Sequence, residues 1–354
     1  MILLTGVLIF AVLLFCISLA NIILFPTIET AKAVQQPNKK VSILIPCRNE
    51  EHRIHHSVIS ACKQEYANKE VLVYDDDSTD NTLKILKKLQ KKYTFTILQG
   101  STLPKGWKGK SHGCHQLAKK ASGEYLCFID ADVELAPYAI TKVLAAHKGG
   151  LLSVFNFQKQ RSLGERLTVP VMNWFLLSAL PFALIEAVPQ KQAAAAMGAF
   201  MCFSKKSYRR IGGHEAIKEV TVEDMALAHR IKEKGEILQT FISRGSISVR
   251  MYGGLLQGVR GLARSLSDSW KKNPLLYILT LAISGTFLVS TYVLLPHPLA
   301  LVAFGLLVIN KIFIGILTRD FWSILLMPLH HIIILVIGIT TMFQGQIKWK
   351  GRNL

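Results

Sequence analysis

Charge is scarce in this sequence. Only 18% of its 354 residues are charged, 50% are hydrophobic, and the mean hydropathy is +0.32. That balance excludes a purely soluble protein. Charge is missing altogether from Met1–Pro26, "MILLTGVLIFAVLLFCISLANIILFP". The run exceeds the roughly 20 residues that cross a bilayer. It lacks the basic start and short apolar core of a cleaved signal peptide, so residues 1–28 read as an N-terminal transmembrane anchor. Lys32, Lys39 and Lys40 follow it and place the next domain in the cytoplasm. The six cysteines (Cys16, Cys47, Cys62, Cys114, Cys127 and Cys202) form no CxxC pair, which removes the usual zinc and dithiol motifs. Most sit in apolar runs and read as reduced packing residues. "HGCH" (His112–His115) has no second pair of soft ligands to complete a metal site.

Acidic residues are also few, 23 against 42 Lys and Arg, for a formal charge of +19. The basic residues are spread over helix faces such as Leu83–Tyr93 and over the flanks of apolar segments. Attraction to anionic lipid explains them, and no nucleic-acid partner is expected. Three further apolar runs, Leu275–Leu295, Leu299–Leu317 and Phe321–Phe343, make residues 275–345 a region of C-terminal transmembrane segments. Three full crossings would put the basic tail, residues 346–354, outside. The charge rule therefore makes one of the last two runs re-entrant or interfacial. Leu167–Val188, broken by Pro170 and Pro181, reads as lying on the bilayer surface, and residues 251–274 as an interfacial amphipathic segment. The expected location is the cell membrane, multi-pass, with the middle domain cytoplasmic.

In that middle domain β-rich runs alternate with helical patterns. Val41–Pro46, Glu70–Tyr74, Phe95–Leu98 and Tyr125–Ile129 are separated by segments of helical period, a βαβ series that predicts a mostly parallel sheet. Such sheets bind ligands beyond the carboxyl ends of their strands. Polar clusters fall there: "PCRNEE" after the first strand, "DDDSTD" (Asp75–Asp80) after the second, and "DAD" (Asp130–Asp132) after the last. Each alone is compatible with loop chemistry, with Ser78 or Asp80 capping a helix. Three in one crevice point to a site, and the paired carboxylates of "DAD" to a cation.

The strings "VSILIPCRNEE", "VLVYDDDSTDNT", "GKSHGCHQLAKKASGEYLCFIDADV" and "EDMALAHRIKEKG" occur in the order seen in family 2 glycosyltransferases, which this sequence resembles from Val41 to about Trp270. The resemblance implies an α/β fold of the GT-A type, Rossmann-like with a mostly parallel sheet, over residues 38–250. It implies that Pro46, Arg48 and Glu50 line a nucleotide pocket, that Asp76 binds the uracil or ribose, and that Lys110 lies near the diphosphate. Asp130 would contact the ribose or the metal shell, and Asp132 would ligate a divalent cation, Mn²⁺ or Mg²⁺. Such a cation needs only one or two carboxylates when phosphate oxygens supply the rest. Asp224 would be the general base, although Thr221 and Asp224 also match a capping box. Arg250 would assist the diphosphate or contact lipid.

The implied activity is inverting transfer of a single sugar, glucose by expectation, from a UDP-sugar such as UDP-glucose to a lipid acceptor. A narrower likeness, in "WKGKSHGCHQ" and "RMYGG", suggests a carotenoid carboxylic acid as acceptor. The alternatives are a hopanoid, ceramide-like or glycerolipid hydroxyl, a short polysaccharide synthase, or a non-catalytic membrane scaffold. Two departures stand out. "QGVRG" (Gln257–Gly261) has Gly261 where processive synthases carry Trp in QxxRW, which favours single transfer. Asp77 stands where the family often has Gly, which bears on the shape of its loop.

Overall fold

A computed structural model describes residues 1–31, 38–182, 184–343, 348–349 and 352–353; Lys32 and most of the basic tail lie outside the described residues. Helix α1 (Ile2–Leu24) is long and apolar enough to cross a bilayer. Strand β1 (Val41–Cys47) follows and is buried along almost its whole length, as an inner strand of a parallel sheet must be. The chain then alternates through α2 (Ile54–Cys62), β2 (Lys69–Asp75), α3 (Thr82–Gln90), β3 (Thr96–Gln99), α4 (Gly109–Lys120) and β4 (Tyr125–Ile129). Next come β5 (Val133–Leu135), α5 (Ala139–Ala146), β6 (Leu151–Phe155), β7 (Phe157–Gln158), α6 (Leu163–Ala179), α7 (Leu184–Ala187) and β8 (Phe200–Ser204). After α8 (Lys205–Arg210) and α9 (Glu223–Glu233), β9 (Leu238–Ile242) and β10 (Ile247–Val249) complete the domain.

The main sheet has seven strands in the order β3-β2-β1-β4-β8-β6-β9. All pairings are parallel except those of β8, which runs against β4 and β6. A small sheet, β5-β10-β7, sits beside it. This is the α/β, mostly parallel architecture that the alternating pattern predicts. Because successive side chains point to opposite faces, β1 sends Leu44 into one core and Ile43 and Ile45 into the other.

The last segments are helical: α10 (Leu255–Lys272), α11 (Pro274–Val293), α12 (Pro298–Thr318), α13 (Trp322–Leu325) and α14 (Met327–Phe343). Among the described residues α12 joins α1 in being long and apolar enough to cross a membrane; the apolar stretches Tyr277–Val293 and Met327–Phe343 are shorter. The helices do not form a separate body. One core layer runs from Leu44 and Phe128 of the sheet through Trp174 and Leu177 of α6 to Leu288 and Ile314. Asn21 of α1 donates to the carbonyls of Leu177 and Leu180 at 2.8 and 2.9 Å and accepts from the Phe182 amide at 2.9 Å. Beyond the helix, Pro26 accepts from the Ile242 amide at 3.0 Å, which ties the anchor to edge strand β9.

Helix α6 corrects one expectation. Pro170 lies inside it without breaking it. A proline leaves the carbonyl four residues earlier without its helical donor. Here that carbonyl, on Arg166, accepts from His330 Nε2 of α14 at 2.8 Å. The start of α6 is equally well held. Ser162 and Glu165 form a capping box, and the Glu165 side chain, fully buried, also accepts from Arg250 Nη2 at 2.7 Å and Nε at 2.9 Å. Removing one partner of a buried pair strands the other. Glu165→Ala should therefore lower stability by about 2–3 kcal/mol, since Arg250 is partly exposed. Thermal unfolding in detergent checks this; an unchanged midpoint would show the pair to be superficial.

Candidate active site

The loops that follow β1 and β2 are knitted together by side chains. Asn49 accepts from the Thr79 amide at 2.8 Å, and Glu51 from the Asn81 amide at 3.1 Å. In return Ser78 accepts from the Asn49 amide at 3.0 Å and Thr82 from the Glu50 amide at 2.8 Å. Arg48 donates to the carbonyls of Asp76 and Asp77, the latter at 2.8 Å. Asp77 has φ +54° and Asn49 φ +52°, left-handed conformations that Asp and Asn tolerate better than most residues. That explains how Asp77 can stand where a glycine is usual. Asp80 accepts from the Thr82 and Glu51 amides at 2.9 and 3.1 Å, so its loop role and the crevice coexist. His112 of "HGCH" is engaged by Tyr74 Oη at 3.3 Å and Gln116 Nε2 at 3.0 Å.

Beyond β4 the carboxylates of Asp130 and Asp132 take different partners. Lys110 Nζ lies 2.7 Å from Asp130 and 2.8 Å from Glu223, bridging the end of the strand to the first turn of α9. Arg53 Nη1 lies 3.2 Å from Asp132 and donates to the Met251 carbonyl at 3.2 Å. Asp224 does not cap α9 with Thr221; the helix has no side-chain cap. Its carboxylate instead accepts from the amides of Gly198 and Met225, both at 2.8 Å.

These contacts enclose a cavity of about 250 Å³. Six of the nine residues singled out from the sequence line it: Pro46, Arg48, Glu50, Lys110, Asp130 and Asp132. Asp76 is buried next to it through Arg48. Asp224 stands one residue beyond Glu223, the partner of Lys110. Arg250 does not line the cavity, because Glu165 holds its guanidinium. Sequence reasoning missed Arg53, Tyr252 and Arg264, which do line it. Tyr252 stands inside the quoted string "RMYGG" but was given no role there; for the other two the only signal was proximity to named motifs, Arg53 to "CRNEE" and Arg264 to "QGVRG".

Burial pushes the Asp132 carboxyl up to about 7, with Asp130 and Glu50 adding to the rise and Arg53 opposing it. Burial also raises Asp130, against the pull of Lys110. Asp224 is pushed up to about 6 by burial and by the neighbouring Glu223. Glu223 goes the other way: burial disfavours its charge, but Lys110 overcomes this and holds it below the usual range. Asp132 is thus a carboxylate with too little positive charge near it. Among the described residues no three His, Cys, Asp or Glu side chains form a ready ligand set. The donor set fits a divalent cation held by one or two carboxylates and completed by phosphate oxygens of a ligand.

Without Lys110, Asp130 and Glu223 would face each other with no cation between them. Their pKa values would then exceed those of the unfolded chain, and stability would fall as pH rises. Lys110→Met should therefore be destabilised by about 3 kcal/mol at pH 7.5 and should recover much of that near pH 5. Thermal unfolding at the two pH values checks this; equal losses at both would contradict an electrostatic role.

Comparisons with known proteins bear on the family and the fold. Residues 42–212 match the family described as glycosyl transferase family 2. The chain is 26% identical over 249 residues to the 4,4'-diaponeurosporenoate glycosyltransferase of Staphylococcus aureus, covering 69% of this chain and 63% of that protein. The Staphylococcus haemolyticus enzyme of the same name is 26% identical over 240 residues, 66% of this chain and 62% of its own. The match thus spans less than two thirds of the length of these relatives. A mannosyltransferase from Pyrobaculum calidifontis, solved with GDP-Man and Mn²⁺, superposes with a TM-score of 0.60 at 16% identity, over 96% of this chain and 99% of its own. Residues 42–212 thus match a family 2 glycosyltransferase domain in sequence, within a fold that the chain shares with the mannosyltransferase.

Proposed function

We propose that this protein is a membrane-bound, metal-dependent glycosyltransferase. It moves one sugar from a nucleoside diphosphate donor, UDP-glucose by preference, to the polar head of a long apolar carboxylic acid. The observation that carries the reading is the convergence of Arg48, Lys110, Asp130 and Asp132 on one cavity whose far wall belongs to α10, a helix packed against the apolar bundle. The named activity of the staphylococcal relatives supports an acid acceptor. Lys39 and Lys40 beside the anchor support a cytoplasmic placement of the catalytic domain.

In this mechanism the donor's diphosphate lies among Arg48, Lys110 and Asp132, and the β1 and β2 loops hold the nucleoside near Asp76. A divalent cation, when bound through Asp132, would neutralise charge on the leaving diphosphate. Lys110 holds Asp130 and Glu223 in place and adds positive charge near the same oxygens. The acceptor enters from the side of Asp224, opposite the leaving group, so the anomeric centre inverts. A long chain that stays in lipid avoids exposure to water at about 0.8 kcal/mol per CH₂.

The two acceptor chemistries make different demands on Asp224. A hydroxyl must lose a proton, and a base pushed up to about 6 accepts it only above that pH. A carboxylate arrives ionised. Membranes carrying the full chain, incubated with labelled UDP-glucose and a lipid extract, should therefore yield an alkali-labile glycosyl ester. Excess EDTA and Asp132→Ala should each remove nearly all of it, while Asp224→Asn retains measurable transfer with little change in the pH profile. Full transfer in EDTA would overturn the metal reading. An alkali-stable product, lost in Asp224→Asn and falling below about pH 6, would move the acceptor to an alcohol such as a hopanoid or ceramide-like lipid.

A further inference from the structure

Four basic side chains line the cavity: Arg48, Arg53, Lys110 and Arg264. Three are already engaged by the protein. Arg48 donates to backbone carbonyls, Arg53 pairs with Asp132, and Lys110 pairs with Asp130 and Glu223. The Arg264 guanidinium, only partly exposed, makes no hydrogen bond or ion pair among the described residues. A guanidinium offers five donors and remains charged at any working pH. One aimed into a cavity with its donors unused is suited to an anionic ligand.

Its surroundings fix where it points. Gln257, Gly261 and Arg264 follow at i, i+4 and i+7 on α10 and so share one face. The opposite side of the helix is packed on the bundle. A Cβ at Gly258 would lie 2.3 Å from Thr168 Oγ1, and Val259, Leu262 and Ala263 join Val171 and Ile337 in one cluster. The cavity side is just as constrained. The loop leading into α10 is held at Met251 by Arg53 at 3.2 Å, and at Gly253 by Gln257 Oε1 at 2.7 Å. Between these two points Tyr252 lays its ring on the bare backbone of Gly261, where a Cβ would come within 2.3 Å of the ring. Tyr252 also lines the cavity. Helix, loop and ring are therefore mutually locked, and Arg264 cannot swing away with a rotation of α10.

We infer that Arg264, with Tyr252 seated on Gly261, forms an oxyanion-binding wall that positions a substrate on the membrane-facing side of the cavity. The oxyanion is a carboxylate of the acceptor or a phosphate of the donor. In this account Gly261 is small so that Tyr252 can supply the aromatic surface from the preceding loop. The inference rests on the glycosyltransferase reading above.

The test uses the full chain in nanodiscs, with variants first checked for an unchanged unfolding midpoint. One arm measures affinity for UDP in the presence of Mn²⁺; the other measures the KM for acceptor lipid in the transfer assay. Arg264→Gln should raise one of the two by about 10- to 100-fold, the loss expected for a charged hydrogen-bonding partner. A rise in the UDP arm assigns the oxyanion to the donor, and a rise in the acceptor arm assigns it to the acid. Arg264→Lys should recover part of the loss, as a purely structural role would not require. Gly261→Ala should displace the ring and weaken the same arm as Tyr252→Ala. If wild type is active and Arg264→Gln changes neither arm by more than about twofold, the inference fails alone. A wild type that neither binds UDP nor transfers sugar would remove the glycosyltransferase reading and the inference with it.

Discussion

The ammonium of Lys110 stands between the carboxylates of Asp130 and Glu223, at 2.7 and 2.8 Å, and the crevice depends on that placement. The two acids come from the end of β4 and the start of α9, segments far apart in sequence. Burying both without a cation would protonate one or push them apart. With Lys110 between them, Glu223 stays ionised and α9 docks beside the "DAD" turn, which brings the neighbouring Asp224 to the same region. Asp132 makes no direct ion pair with Lys110 among the described residues and feels it only at longer range. Its nearest charge partner is Arg53, and burial pushes its carboxyl up to about 7. Such a crevice is arranged internally yet remains short of positive charge where a diphosphate-bound cation would sit.

The second constraint is the apolar core that the sheet and the helices share. Trp174 and Leu177 on α6 belong to the same layer as Leu44 and Phe128, so the α/β domain shares its core with the bundle. Helix α10 uses that continuity. One side packs on α6 and α14, and the other presents Gln257 and Arg264 to the cavity. The cavity thus lies between a Rossmann-like edge suited to nucleotides and a helix face tied to lipid-seeking elements. Under the proposed function, a fold built this way would bring a water-soluble donor and an apolar acceptor to one place without extracting the acceptor.

Much of this was legible in the sequence. The βαβ rhythm gave the parallel sheet, and polar clusters after three strands marked the crevice, because side-chain period and strand ends follow local rules. What stayed hidden depended on contacts between distant segments. Arg250 looked available for a diphosphate, and only the fold brings Glu165 to it. Pro170 looked like a break, but His330 takes up the carbonyl that it frees. Thr221 and Asp224 matched a capping box, yet the amide of Gly198 draws Asp224 elsewhere. Arg53 lies in no quoted motif and is recognisable only once Asp132 and Met251 meet; Tyr252 sits within "RMYGG", but its place on the surface of Gly261 shows only in the fold.

The central claim is that this crevice holds a nucleoside diphosphate and a divalent cation together, with Asp132 as a protein ligand. Electron paramagnetic resonance of Mn²⁺ titrated into the purified full-length protein tests it most directly. The account predicts a single bound Mn²⁺ that is weak alone, tightens when UDP is added, and is lost in Asp132→Ala. Mn²⁺ binding that is indifferent to UDP and survives Asp132→Ala would contradict it.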